Sequence, residues 1–96
     1  MELSERCIQT LEKEGFTHVY ERSEAPDTTC PERSHQDKVT IFISEGSLQV
    51  DIAGEQKALR AGERINIPPN TPHSVVVGPD GCQLVIGEMV EGDSWQ

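Results

Sequence analysis

Two of the three histidines in this 96-residue chain stand where a strand-like run begins. His35 lies just ahead of Val39-Thr-Ile-Phe-Ile-Ser44. His73 follows the turn Pro68-Pro-Asn-Thr-Pro72 and leads into Val75-Val76-Val77. Strand side chains alternate between faces, so positions two apart share one. Counting back from Ile43 and Ile41 puts Val39, Asp37, His35 and Arg33 on one face, and counting on from His73 adds Val75 and Val77. If both apolar sets line one interior, the two imidazoles project into it near its mouth. Two neutral imidazoles suit a divalent first-row metal such as iron, manganese, nickel, zinc or copper, although such sites usually take at least three protein donors. Asp37 shares the inward parity and is the candidate third ligand. Glu32 qualifies if a bulge shifts the phase by one, and Cys82, at the start of the last strand, offers a soft donor. Arg33 brings a different chemistry, because it stays protonated and has no lone pair to give. Its planar fork suits a carboxylate or phosphate on a small ligand. The corner Arg33, His35 and His73 therefore reads either as part of a metal site or as an anion-binding site. The blander alternative turns Arg33 to solvent, or pairs it with Glu32 or Asp37, and leaves the histidines satisfying backbone groups.

The elements that must position these residues follow from the hydrophobic pattern. Residues 1–15 read as a helix, with Leu3, Cys7, Ile8 and Leu11 on one stripe. Gly15 suits a left-handed C-cap, and Phe16 is placed to pack back on Leu11. Residues 17–90 read as short antiparallel strands. Thr17 to Ser23 alternates, with His18, Tyr20 and Arg22 on one face; His18 is expected at the surface and Tyr20 in packing rather than at the pocket mouth. Glu24 to Pro31 suggests a loop or short edge segment. Turns are expected at Glu45-Gly46, Ala53-Gly54-Glu55, Ala61-Gly62-Glu63 and Gly78-Pro79-Asp80-Gly81, separating a meander of short strands. Such punctuation indicates an all-β sandwich or barrel. Residues 91–96 form a polar tail from which Trp95 is able to dock on the body.

Composition narrows the function classes. Eight Lys and Arg against 17 Asp and Glu give a net charge of −9 with no basic patch, which disfavours nucleic acid and anionic lipid as partners. Three widely spaced cysteines without a C-x-x-C pair argue against a disulfide framework and for a reducing, cytoplasmic setting. No signal-peptide pattern and no apolar run of membrane-spanning length is visible. Cys30 and Cys82 read as small hydrophobes rather than nucleophiles, and no G-x-S-x-G motif supports a serine hydrolase.

The stretch from Arg33 to Val77 resembles the two motifs of the cupin superfamily, small antiparallel β-barrels often shaped as a jelly roll. The second motif keeps its spacing: Gly62, five residues, Pro68, then Asn70 where a glycine is usual, two residues and His73. The family's later asparagine falls on Val77. In the first motif the usual His-x-His falls on Arg33-Ser34-His35, the glutamate on Val39, and the closing glycine on Gly46. The resemblance implies a single cupin-type barrel with one N-terminal helix outside it. It also implies a pocket for a small molecule, with His35 and His73 as metal or ligand contacts and Arg33 steering an anion. An enzymatic version would be a metal-dependent oxygenase, isomerase or epimerase. Other versions are a binding module or sensor, or an inactive barrel that works through its dimer surface. Thr40 and Phe42 face away from the His35 side, and an apolar outer face there, with the dimers common among cupins, leads to the expectation of a homodimer.

Overall fold

The computed structural model describes residues 2–89; Val90 and the polar tail, including any docking of Trp95, lie outside the described residues. One helix, α1 (Leu3–Lys13), precedes six strands: β1 (His18–Glu24), β2 (Thr29–Arg33), β3 (Lys38–Ile52), β4 (Glu55–Arg60), β5 (Arg64–Ile67) and β6 (His73–Met89). The helix ends as its sequence dictates. Gly15 adopts φ +96°, its N–H donates to the Glu12 carbonyl, and the Phe16 N–H donates to that of Leu11. These are the two bonds of a Schellman ending, accompanied by its apolar contact between Phe16 and Leu11.

The strands form one antiparallel sheet in the order β1-β6-β3-β4, with β2 added beside β6 and β5 beside β3. Its inner face closes on a core built around Ile41, Ile43, Leu48, Val50, Val77 and Leu84, in agreement with a cupin β-barrel. The chain is thus all-β with one short helix.

Two of the expected turns are not turns. Glu45-Gly46 lies inside the 15-residue β3, and Gly78-Pro79-Asp80-Gly81 lies inside the 17-residue β6. The two glycine-bearing stretches oppose each other instead. Register jumps from Ile43↔Leu84 to Gly46↔Cys82 and then to Leu48↔Val77, so both strands carry their irregularity at the same level. The consequence is a change of parity. On β3 the inward residues are odd-numbered as far as Ile43 and even-numbered from Leu48; on β6 they are odd as far as Val77 and even from Cys82. An unbroken ladder would have turned half of each strand's apolar residues outward. Gly46 has φ +80°, and a Cβ there would overlap the Gly81 carbonyl oxygen, so both the backbone conformation and the close approach require glycine. Ala53 and Gly54, both at positive φ, make the genuine two-residue hairpin turn between β3 and β4.

On the outer face, α1 lies over β1, β3 and β6. Cys7, Leu11, Phe16 and Val85 form a second buried cluster, with Val19, Phe42 and Met89 packed against it. Gly87 allows the close approach, since a Cβ there would meet Leu11 Cδ1 at 3.0 Å and the Phe16 ring at 3.1 Å. Thr40 and Phe42 do face away from the His35 side, but the chain's own helix covers Phe42. The Arg64 guanidinium fastens the arrangement. It donates to both Glu14 carboxylate oxygens at 2.8 and 3.0 Å, to Asn66 Oδ1 at 3.1 Å, and lies 4.9 Å from the Phe42 ring centroid.

Candidate functional site

The strongest local signal, the turn before β6, holds His73 in a fixed place. Asn70 takes φ +58°, the left-handed conformation that asparagine tolerates better than most residues. Its N–H donates to the His35 carbonyl at 2.7 Å, tying the β5–β6 turn to the β2–β3 connection. The two histidines consequently lie side by side, with ring centroids 5.3 Å apart and planes tilted by 42°. His73 is 5% exposed, and its Nδ1 sits 3.1 Å from the Thr71 carbonyl oxygen. A proton on Nδ1 donated to that carbonyl leaves Nε2 as the lone-pair nitrogen. His35 is exposed.

Both rings line a cavity of about 240 Å³ in the open end of the barrel. Arg33 lines it as well and is the direct cross-strand partner of His73. A one-residue bulge in β2 does occur, between Cys30 and Arg33, but it brings Arg33 rather than Glu32 opposite the histidine. Among the described residues, Arg33 has neither a hydrogen bond nor a salt bridge to another side chain. The pairing with Glu32 or Asp37 is therefore not formed. Val39, Ile41, Leu48, Val77, Leu84 and Ile86 supply the apolar wall.

Asp37 does not line the cavity. Parity counting fails there for a simple reason: the ladder stops at Arg33 and resumes at Lys38, with a bend at residues 36 and 37, so alternation does not carry across. Cys82 lies inside the core wall at 6% exposure and does not line this cavity. Burial, then the nearby Glu24 charge, raises its thiol pKa, which disfavours the thiolate that a metal needs. Among the described residues no group of three or more His, Cys, Asp or Glu converges to hold a metal ion. The His35 and His73 pair beside a guanidinium therefore does not fit the three-donor set of a catalytic metal.

Sequence reasoning undervalued β1. Its even positions Tyr20, Arg22 and Glu24 pair with Ile86, Leu84 and Cys82 and line the cavity with polar groups. Tyr20 belongs to the mouth after all. Its hydroxyl donates to Glu88 Oε2 at 2.7 Å. Burial, then that bond and the carboxylate's charge, push the phenol up to about 12, against the opposing pull of Arg22 and Arg33. Arg22 Nε lies 2.5 Å from Glu24 Oε1. Glu88 went unnoticed because it sits in the last apolar run; it is the cross-strand partner of Val39, the position where the resemblance lacks its glutamate. A carboxylate thus reaches the cavity from the neighbouring strand. The available signal was the alternation His18, Tyr20, Arg22, of which Tyr20 and Arg22 line the cavity while the only apolar alternate of the strand, Val19, packs beneath α1.

A family profile, Cupin_2 (cupin domain), matches residues 22–86. Among solved structures, KdgF from Halomonas sp. superposes with a TM-score of 0.66 at 18% identity, covering 79% of this chain and 72% of that one. An RmlC-like cupin from Shewanella frigidimarina gives 0.68 at 22% identity, over 79% and 68%. The DMSP lyase DddQ from Ruegeria pomeroyi gives 0.71 at 16% identity, over 76% of this chain and 38% of the longer enzyme. No curated protein matches the chain. These identities establish the fold alone, while the profile spans the strands from β1 to β6 and both motif segments; the chain belongs to the cupin domain family.

Proposed function

We propose that the barrel binds a small anionic molecule, with Arg33 receiving its carboxylate or phosphate and His35 and His73 supplying polar contacts beside it. The observation that carries this reading is the state of Arg33: a guanidinium on the rim of an apolar-walled cavity, opposite a buried histidine, with no anion among the described residues paired to it. A fixed cation beside a low-dielectric wall attracts an anion more strongly than one in open water. The cavity has room for roughly eight waters at ~30 Å³ each, which suits a small metabolite and not a polymer. Melting temperature in the presence of small carboxylates and inorganic phosphate tests the reading. A saturable rise that Arg33→Met abolishes supports it; rises of equal size in wild type and Arg33→Met refute it.

A further inference from the structure

The charged groups around the cavity do more than attract an anion. Among the described residues four charged side chains line it: Arg22, Arg33, Glu24 and Glu88. Arg22 and Glu24 neutralise each other through their ion pair. That leaves one cation and one anion with unused capacity. Arg33 has no hydrogen-bonded or ion-paired partner among the described residues. Glu88 accepts from the Tyr20 hydroxyl on Oε2, while its Oε1 takes no hydrogen bond from any described residue. Tyr20, Arg33 and Glu88 line the same cavity, with the Tyr20 hydroxyl bonded to Glu88. A simple anion such as phosphate would satisfy Arg33 and be repelled by Glu88. A ligand carrying a proton donor next to its carboxylate would satisfy both: the exposed Arg33 attracts the carboxylate, and the half-buried Glu88 penalises a ligand that brings it no donor.

We infer that the cavity is selective for small carboxylic acids bearing a neighbouring proton donor, a hydroxyl or an ammonium group, with the carboxylate on Arg33 and the donor on Glu88 Oε1. This rests on the anion reading above and adds the second recognition point. Tyr20 acts as a positioning residue. By occupying Oε2 it fixes the Glu88 carboxylate at the rim and leaves one oxygen for the ligand. The apolar wall of Val39, Ile41 and Ile86 takes a short aliphatic body.

Calorimetric titration of the full chain with three acids of one carbon skeleton tests the inference: valine, 2-hydroxyisovalerate and isovalerate, with inorganic phosphate as a fourth probe. At least one donor-bearing acid is expected to bind tenfold or more tightly than isovalerate and phosphate, and the preferred one assigns the donor as ammonium or hydroxyl. Glu88→Met should bring the three acids to within about twofold of one another, because it removes the acceptor and leaves Arg33 in place. Tyr20→Phe, which keeps the carboxylate but removes the bond that fixes it, should narrow the preference without abolishing it, and a melting temperature of Glu88→Met close to that of wild type guards against a variant that folds poorly. Equal binding of all three acids, lost in Arg33→Met, overturns the donor requirement and leaves the anion reading standing. Binding by none of the four probes overturns both.

Discussion

Replacing Gly46 by alanine isolates the feature that sets the barrel's inward face, and Gly54→Ala is its internal control. Both glycines lie in the left-handed region, at φ +80° and +85°, so both substitutions carry the same backbone cost, about 1–2 kcal/mol. They differ in surroundings. Nothing lies within 4 Å of a Cβ at Gly54, whereas one at Gly46 would overlap the Gly81 carbonyl oxygen and come within 2.9 Å of the Cys82 Cα. Those atoms are backbone in the paired strand and cannot rotate away, so β3 and β6 must separate where their parity changes. Overpacking of this kind costs about 1–3 kcal/mol beyond the shared term. Gly46→Ala should therefore lose about 2–5 kcal/mol, a large fraction of the ~5–15 kcal/mol typical of a domain. In a domain of this size each kcal/mol moves the melting point by about 4–8 °C. Gly46→Ala is expected to melt at least about 4 °C below Gly54→Ala, with a matching gap in urea unfolding followed by circular dichroism. Equal losses in the two variants would refute the close approach and with it the account of the parity change.

Three further outcomes are expected. The Arg64 hydrogen bonds hold the Glu14 carboxyl below its ordinary 4.5, so the folded state binds that proton less readily than the unfolded state; the resulting stability is present above pH 4.5 and lost as pH falls through the folded value. Glu14 is exposed, so the effect is modest, but urea midpoints should fall more steeply below pH 4.5 in wild type than in Arg64→Met, and parallel curves would count against the clamp. The single tyrosine should ionise near pH 12 in ultraviolet titration of the folded protein, provided the fold persists there, and Glu88→Gln should lower that midpoint by removing the negative charge beside the phenol; an unchanged midpoint contradicts the Tyr20–Glu88 bond. Arg33→His places a third imidazole opposite His73 and beside His35, so zinc or nickel should bind more tightly than to wild type by calorimetry; no gain would show that position 33 does not face the histidine pair.

How much of this was legible in the chain depends on which constraint each residue obeys. Alternation within β3 correctly placed Val39 and Ile41 in the cavity wall, Arg33 and His35 line the same cavity although the count that reached them crossed the unpaired bend, and the spacing from Gly62 to His73 correctly announced the barrel. Alternation is a property of a paired ladder, however, and it says nothing once pairing stops. Asp37 illustrates the point, since it sits in the unpaired bend between β2 and β3 and shares no face with Arg33. Gly46 and Gly81 illustrate the complementary error. Each is a turn residue by local chemistry, yet in the barrel Gly46 sits against the Gly81 carbonyl oxygen and Gly81 against the Glu24 carbonyl, and tertiary pairing converts two apparent turns into opposed irregularities within two long strands. Only one member of such a pair is visible in any short window of sequence.

The β1 strand shows why the ligand chemistry was harder to see than the fold. Apolar residues usually mark the inward face, and Val19 is the only such residue among the alternating positions of Thr17 to Ser23 apart from the ring of Tyr20. The helix reverses the rule by giving Val19 an apolar partner on the outside, which leaves Tyr20, Arg22 and Glu24 for the cavity. Burying polar groups beside an apolar wall is unfavourable unless they are paired, and here Arg22 with Glu24 and Tyr20 with Glu88 meet that demand within the strand layer. The exposed Arg33 guanidinium and one oxygen of the half-buried Glu88 take no partner among the described residues. Arg33, exposed at the rim, and the half-buried Glu88 carry opposite charges with spare hydrogen-bonding capacity, and a ligand bearing both an acid and a proton donor engages both in a single step.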